Sequence, residues 1–325
     1  MSDLCSPPLS AVPDLWFDDG NIVIVAGSWS FRLRRGILAF QSSVFRDMFS
    51  LPPSGSQDVY DGCPLINVSD DPNDMEHFLK AVYFPQYFPP GISQEVEFGV
   101  LRAVLGLAQK FDVPFLRRRA LCILSDAYST DADGVPSLST PSWRGRRDHP
   151  SLDCLLAEIA LAREVNAIWL LPRLYYEVSY ADASDIIIGC QEASDKELRN
   201  SVLILCFAGL QRIRAAFEPN FMINPASSCS SRAKCTQRRW IAFGKTFHLR
   251  DTPQLFFSYS FTEDVDSGAC ASCQVAIITD LHTRRKELWD AIPGFYGLLD
   301  WDRLKEMKRE ETSLKGSAWG EVICS

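Results

Sequence analysis

Apolar positions along the chain follow two patterns, short dense or alternating runs near the start and helical stripes afterwards. Asn21-Ile-Val-Ile-Val-Ala26 is a β-branched run too short for a helix and reads as a buried strand. Trp29-Ser-Phe-Arg-Leu-Arg34 alternates apolar and polar, the signature of a strand with one buried face. Gly27-Ser28 between them predicts a hairpin turn. Ile37, Leu38, Val44, Phe45, Met48 and Phe49 are spaced for helices, and Ser42-Ser43 predicts two short ones with a cap between. After the loop Pro52–Ser56, Cys63–Ser69 reads as another strand. Asp70-Asp-Pro-Asn73 predicts a helix start, with proline in the first turn and acids at the positive end of the dipole. Met75, Phe78, Leu79 and Val82 continue that helix. Phe98, Leu101, Leu105 and Ala108 share one face of the next, and Val113-Pro-Phe-Leu116 opens another through Leu124.

Residues 126–150 are rich in Asp, Ser, Thr, Pro and Gly without periodicity, and read as a linker. Beyond it the stripes are helical. Leu152, Leu155, Leu156 and Ile159 form one, Ile168–Tyr180 a second, and Ser194-Asp-Lys-Glu197 has capping-box form before the apolar run at 198–210. Residues 219–280 look irregular, Lys286–Ala291 helical, and Ile292-Pro-Gly294 a stop. The expected organisation is a disordered stretch at 1–14, an α+β domain at 15–125, the linker, and a mainly α-helical domain at 151–325 with a cysteine-containing insert at about 219–280.

Composition narrows the partners. With 46% hydrophobic and 23% charged residues, the 325-residue chain has material for about two domains of roughly 100–200 residues. A net charge of -8 makes nucleic acid an unexpected partner, although a local basic patch can hide under an acidic total. No apolar run reaches the roughly 18 residues of a membrane span, and the first residues lack the basic and apolar regions of a secretory signal. The expected location is therefore cytoplasm or nucleus, with the eleven cysteines mostly thiols.

Phe31, Leu33, Arg35, Leu38, Ser42, Phe45, Met48 and Phe49 fall, without a gap, into the opening pattern of the BTB/POZ family, which they resemble. Phe78-Leu-Lys-Ala-Val-Tyr83 and Leu107-Ala-Gln-Lys-Phe-Asp-Val-Pro-Phe-Leu116 resemble that family's later helices. The resemblance implies a short sheet flanked by helical hairpins, and a role in protein–protein contact. It also implies a homodimer groove lined by an Asp and an Arg. Here the groove positions are Asn21 in place of the Asp, Arg34 in place of a family His, and the retained Arg35. A cullin-type ubiquitin ligase is a further partner that the family implies. Gly62–Asp70, Tyr83-Phe-Pro85, Leu171-Pro-Arg-Leu-Tyr-Tyr176 and a late Cys-x-x-Cys resemble, more narrowly, BTB proteins expanded in mushroom-forming fungi.

The candidate chemistry is Cys229-x5-Cys235 followed by Cys270-x2-Cys273. Two thiol pairs suit one tetrahedral structural zinc, with the second pair at knuckle spacing and the first looser than usual. The competing reading is four unrelated thiols. A redox pair at Cys270 and Cys273 ranks below zinc, because the residues before it show no strand leading into a helix. His248 and His282 are spare ligands on which nothing is staked. Gly244-Lys-Thr246 is no phosphate loop, since Arg239 stands where the motif needs glycine. Arg117-Arg-Arg119 and Arg144-Gly-Arg-Arg147 read as solvated charge. The sequence thus points to a non-enzymatic adaptor. The rivals are a zinc- or thiol-dependent enzyme in the second half and a transcriptional regulator.

Overall fold

The computed structural model describes residues 9–51, 58–89, 96–128, 130, 152–179, 196–216, 224–246 and 269–313. They divide into two compact units, one within Met1–Asp126 together with Glu311 onward, the other within Ala127–Glu310.

The first unit is built on β1 (Ser10–Trp16), β2 (Ile22–Ala26), β3 (Trp29–Leu33), β4 (Val59–Tyr60) and β5 (Cys63–Val68), in sheet order β1-β3-β2-β5-β4. β2 runs antiparallel to β3 and parallel to β5, while β1 is parallel to β3 and β4 antiparallel to β5. All five residues of the central β2 are buried, as a strand covered on both faces requires. Gly27, at φ 54°, closes the expected β2–β3 hairpin. A second hairpin turns at Asp61-Gly62, both at positive φ, which Asp-Gly favours.

The helices are α1 (Arg35–Gln41), α2 (Ser43–Ser50), α3 (Pro72–Tyr83), α4 (Phe98–Lys110) and α5 (Pro114–Asp126). Buried Ser42 caps α2 by accepting from Phe45 N at 3.0 Å, and its hydroxyl donates to the Phe111 carbonyl at the end of α4. Asp71 caps α3 by accepting from Asn73 N at 2.9 Å and Asp74 N at 3.2 Å. Asp112 takes φ 49° between α4 and α5, and Pro114 then starts the return helix. Phe45 stacks on Phe111 with centroids 4.6 Å apart, which anchors α2 on the end of α4, and Phe49 stacks on Phe45 within α2 at 5.7 Å.

Ser10–Trp16 departs from the expectation that residues 1–14 lack structure. This stretch is an edge strand whose register breaks between Ala11 and Trp16. Pro13 sits in that break, where no ladder donor is needed.

The second unit is helical: α6 (Leu152–Glu164), a 3-10 turn (Ile168–Leu170), α7 (Leu171–Val178), α8 (Lys196–Ala216), α9 (Arg232–Thr246), α10 (Ala271–Phe295) and α11 (Trp301–Thr312), whose last two residues count with the first unit. Leu155, Ile159, Trp169, Leu174, Tyr175, Val202, Ile213, Trp289 and Ile292 are buried. Ser179 ties three elements together, its Oγ lying 2.7 Å from the Tyr175 carbonyl, 3.0 Å from the Cys206 carbonyl and 2.9 Å from the Tyr296 hydroxyl, with one proton to donate among them.

One expectation is corrected here. The segment at 219–280 is not irregular throughout, since α9 and the start of α10 lie in it. The stop expected at Ile292-Pro-Gly294 falls within one residue of the end of α10 at Phe295; Pro293 sits in the last turn, which closes with Leu298 N donating to Pro293 O at 2.9 Å and Gly297 at φ 69°. Most of the expected linker (131–150) and Ser194 of the capping box lie outside the described residues.

Candidate functional site

The four cysteines singled out in the sequence come together in the second unit. Cys229 sits in the loop before α9, Cys235 in the first turn of α9, Cys270 at the N-cap of α10 and Cys273 in its first turn. Their sulfurs all lie within 4.8 Å of one another. Cys229 Sγ and Cys270 Sγ are 3.8 Å apart. A disulfide needs about 2.05 Å. A tetrahedron of sulfurs at about 2.3 Å from a zinc ion has an edge of about 3.8 Å. The donor set therefore fits a tetrahedral thiophilic ion.

Backbone donors from the loop before α9 and from both helix starts aim at the sulfurs. Ala226 N donates to Cys273 Sγ at 3.3 Å, Ser231 N to Cys229 Sγ at 3.4 Å and Cys270 N to Cys235 Sγ at 3.4 Å. Such bonds favour the thiolate form that a metal requires. The backbone N–H groups of Ser230 and Cys273 hold the Cys270 thiol down to about 6, while burial pushes the Cys229 thiol up to about 12. Cys235 and Cys273 are buried, Cys229 and Cys270 half-buried.

Cys270-Ala-Ser-Cys273 thus does open a helix, contrary to the reading from its preceding residues. What separates it from a lone redox pair is the convergence of the other two sulfurs. The signal the sequence carried for the helix was weak, because Val275, Ile277, Ile278 and Thr279 are β-branched and favour strand. His282 is exposed along α10 and outside the cluster, and His248 lies outside the described residues.

In the first unit, Asn21, Arg34 and Arg35 meet at the junction of β2, β3 and α1. Asn21 Oδ1 accepts from Arg35 N at 2.8 Å. The Arg35 guanidinium lies 5.2 Å over the Phe49 ring and donates to the Phe49 carbonyl. Arg34 pairs with Asp19 at 2.8 Å and stacks 4.3 Å over Phe17. The Arg34 guanidinium, by donating to it, holds the Asp19 carboxyl below its ordinary value. Asp19 and Phe17 were missed in the sequence. Their only signal was proximity to an Asp-Asp-Gly turn, with nothing to link them to position 34. Tyr83 donates to the Arg34 carbonyl at 2.9 Å, and burial pushes its phenol up. Phe40 is 76% exposed on α1 and Leu51 71% exposed just after α2.

Residues 18–125 match the family model of the BTB/POZ domain, a protein–protein interaction module. The sheet with its flanking helices, followed by a mainly helical region, is the α+β arrangement this match implies. No curated protein and no solved structure matches the chain significantly. Among the described residues, no helix is long and apolar enough to cross a membrane.

Proposed function

We propose that this chain is a non-enzymatic adaptor that self-associates through its BTB/POZ unit and carries one structural zinc in its second unit. The observation that carries the adaptor reading is the match of residues 18–125, joined to large apolar side chains left exposed on that unit at Phe40 and Leu51. The groove residues Asn21, Arg34 and Arg35 belong to the same reading. Arg34 is paired with the Asp19 carboxylate, whereas Arg35 is exposed and held by the uncharged Phe49 carbonyl and ring. A heterologous partner of the cullin-type ligase class, placement in cytoplasm or nucleus, and kinship with the BTB proteins of mushroom-forming fungi are parts of this proposal.

The convergence of Cys229, Cys235, Cys270 and Cys273 supports zinc. When bound, the ion supplies cross-links and no chemistry. The four cysteines hold it, and the start of α10 and the loop before α9 gain an anchor that their small, polar residues do not provide.

A second reading, a regulator that contacts nucleic acid, is favoured by one observation. Residues 224–246 hold five Lys and Arg and no acid, with Arg232 and Lys234 exposed.

Native mass measurement of the purified chain tests the main reading. A dimer with one zinc per chain is expected. A metal-free monomer at every concentration overturns both self-association and zinc.

A further inference from the structure

Arg239 lies four residues after Cys235, on the same face of α9, and is only 2% exposed. Burying a guanidinium is costly unless its donors are used and its charge is offset. Its Nη1 donates to the carbonyl of Asn224, the first described residue of the loop that leads to Cys229. Two residues further on, Ala226 N donates to Cys273 Sγ at 3.3 Å, and the Ala226 carbonyl accepts from Cys229 N at 3.0 Å. A continuous path of hydrogen bonds and backbone therefore runs from Arg239 through the loop to sulfurs in both cysteine pairs.

We propose that Arg239 is a positioning residue for the metal centre: by holding the 224–229 loop against α9 it sets Cys229 and the Ala226 N–H in place, and its positive charge offsets that of the thiolates. The inference rests on the zinc reading above. Four thiolates around one divalent ion leave a net negative centre in a partly buried site. A permanent cation one helical turn away lowers the cost of that charge. Arginine is suited to this because it stays protonated and offers several fixed donors, whereas lysine offers a single flexible point charge. Groups that orient metal ligands in this way typically contribute about 10–100-fold in affinity.

The test measures zinc affinity of the full chain by competition with a chromophoric chelator, for wild type, Arg239→Met, Arg239→Lys and the exposed control Gln237→Ala. The expected result is about a 10–100-fold loss for Arg239→Met, a smaller loss for Arg239→Lys and none for Gln237→Ala. Cobalt loaded into Arg239→Met should still show thiolate-to-metal absorption, because all four sulfurs remain. Wild-type affinity in Arg239→Met overturns the inference and leaves the metal reading standing. A wild-type chain that takes up no zinc overturns the metal reading itself. If Arg239→Met does not fold, Arg239→Lys decides, and unchanged affinity there overturns the inference.

Discussion

The indole Nε1 of Trp301 donates to the backbone carbonyl of Trp289 at 2.7 Å, and the two rings stack with centroids 4.9 Å apart and planes 9° from parallel. Four residues after Trp289 stands Pro293, which has no N–H to give that carbonyl its helical bond. The indole supplies the missing donor from the next helix, and so α10 continues through its proline. Trp301→Phe should then cost about 1–3 kcal/mol, the penalty for depriving a buried carbonyl of its donor. Pro293→Ala restores a main-chain donor and should recover part of that loss in the double variant. Urea unfolding of the four proteins in the cycle measures it. Additive effects would show that the indole bond and the proline are unrelated.

Ile292-Pro-Gly294 marks the end of α10 to within one residue, but the tryptophan eight residues after Pro293 that serves the carbonyl left without a donor was not legible locally. Local signals fared well elsewhere. Ser42, Asp71 and Pro114 each act within a few residues, through caps and fixed φ, and each starts the helix expected of it. β1 was illegible because its pairing with β3 is non-local and its own residues are mixed in polarity and interrupted by Pro13. The cysteines were legible by spacing. The Cys270 helix N-cap was not, since a Cys-x-x-Cys reads the same in a loop or at a helix start. Arg239 carried no sequence signal at all, because a single arginine in a basic stretch looks solvated.

Ser42 joins two helices by using its hydroxyl twice, as acceptor for Phe45 N and as donor to Phe111 O. Ser42→Ala should destabilise the first unit by about 1–2 kcal/mol. Ser42→Gly should cost more than the few tenths expected of a simple cap exchange, because the link to α4 is lost as well. Thermal unfolding of both variants checks this, and a Ser42→Gly protein as stable as wild type would reduce Ser42 to an ordinary cap.

Asp71 gives a pH dependence with a definite sign. Backbone donors at Asp74 and Asn73 hold its carboxyl below the ordinary value. A group whose folded pKa is depressed stabilises the fold above its unfolded pKa, about 3.9, and loses that contribution as pH falls through the folded value. Asp71→Ala should therefore be less stable than wild type by about 1 kcal/mol at neutral pH, with the gap closing in acid. Asp71→Asn keeps an acceptor and should show no such closing against Asp71→Ala. Denaturant melts at a series of pH values separate the cases. A gap constant down to the lowest pH would mean the carboxylate charge contributes nothing.

Removing the metal should loosen a defined part of the second unit. On the zinc reading the cysteines fasten the loop at 224–231 and the first turns of α9 and α10, where Ala226, Ser227, Ser228, Ala271 and Ser272 offer little apolar surface of their own. With zinc bound, all four sulfurs are shielded and those turns are cross-linked. A chelator should expose four thiols to an alkylating reagent together, because loss of the ion frees the whole set. Amide exchange should rise sharply over 224–235 and 270–277. Amides of β2 and α4 should keep their protection, since those elements draw on the separate core of the first unit. Acid should ease removal, because protons compete with the metal for thiolate. Replacing Cys235 or Cys273, the two buried cysteines of the cluster, by serine should reproduce the effect without chelator. Unchanged exchange on chelation, with thiols that react one by one, would mean that the four sulfurs meet without an ion to hold.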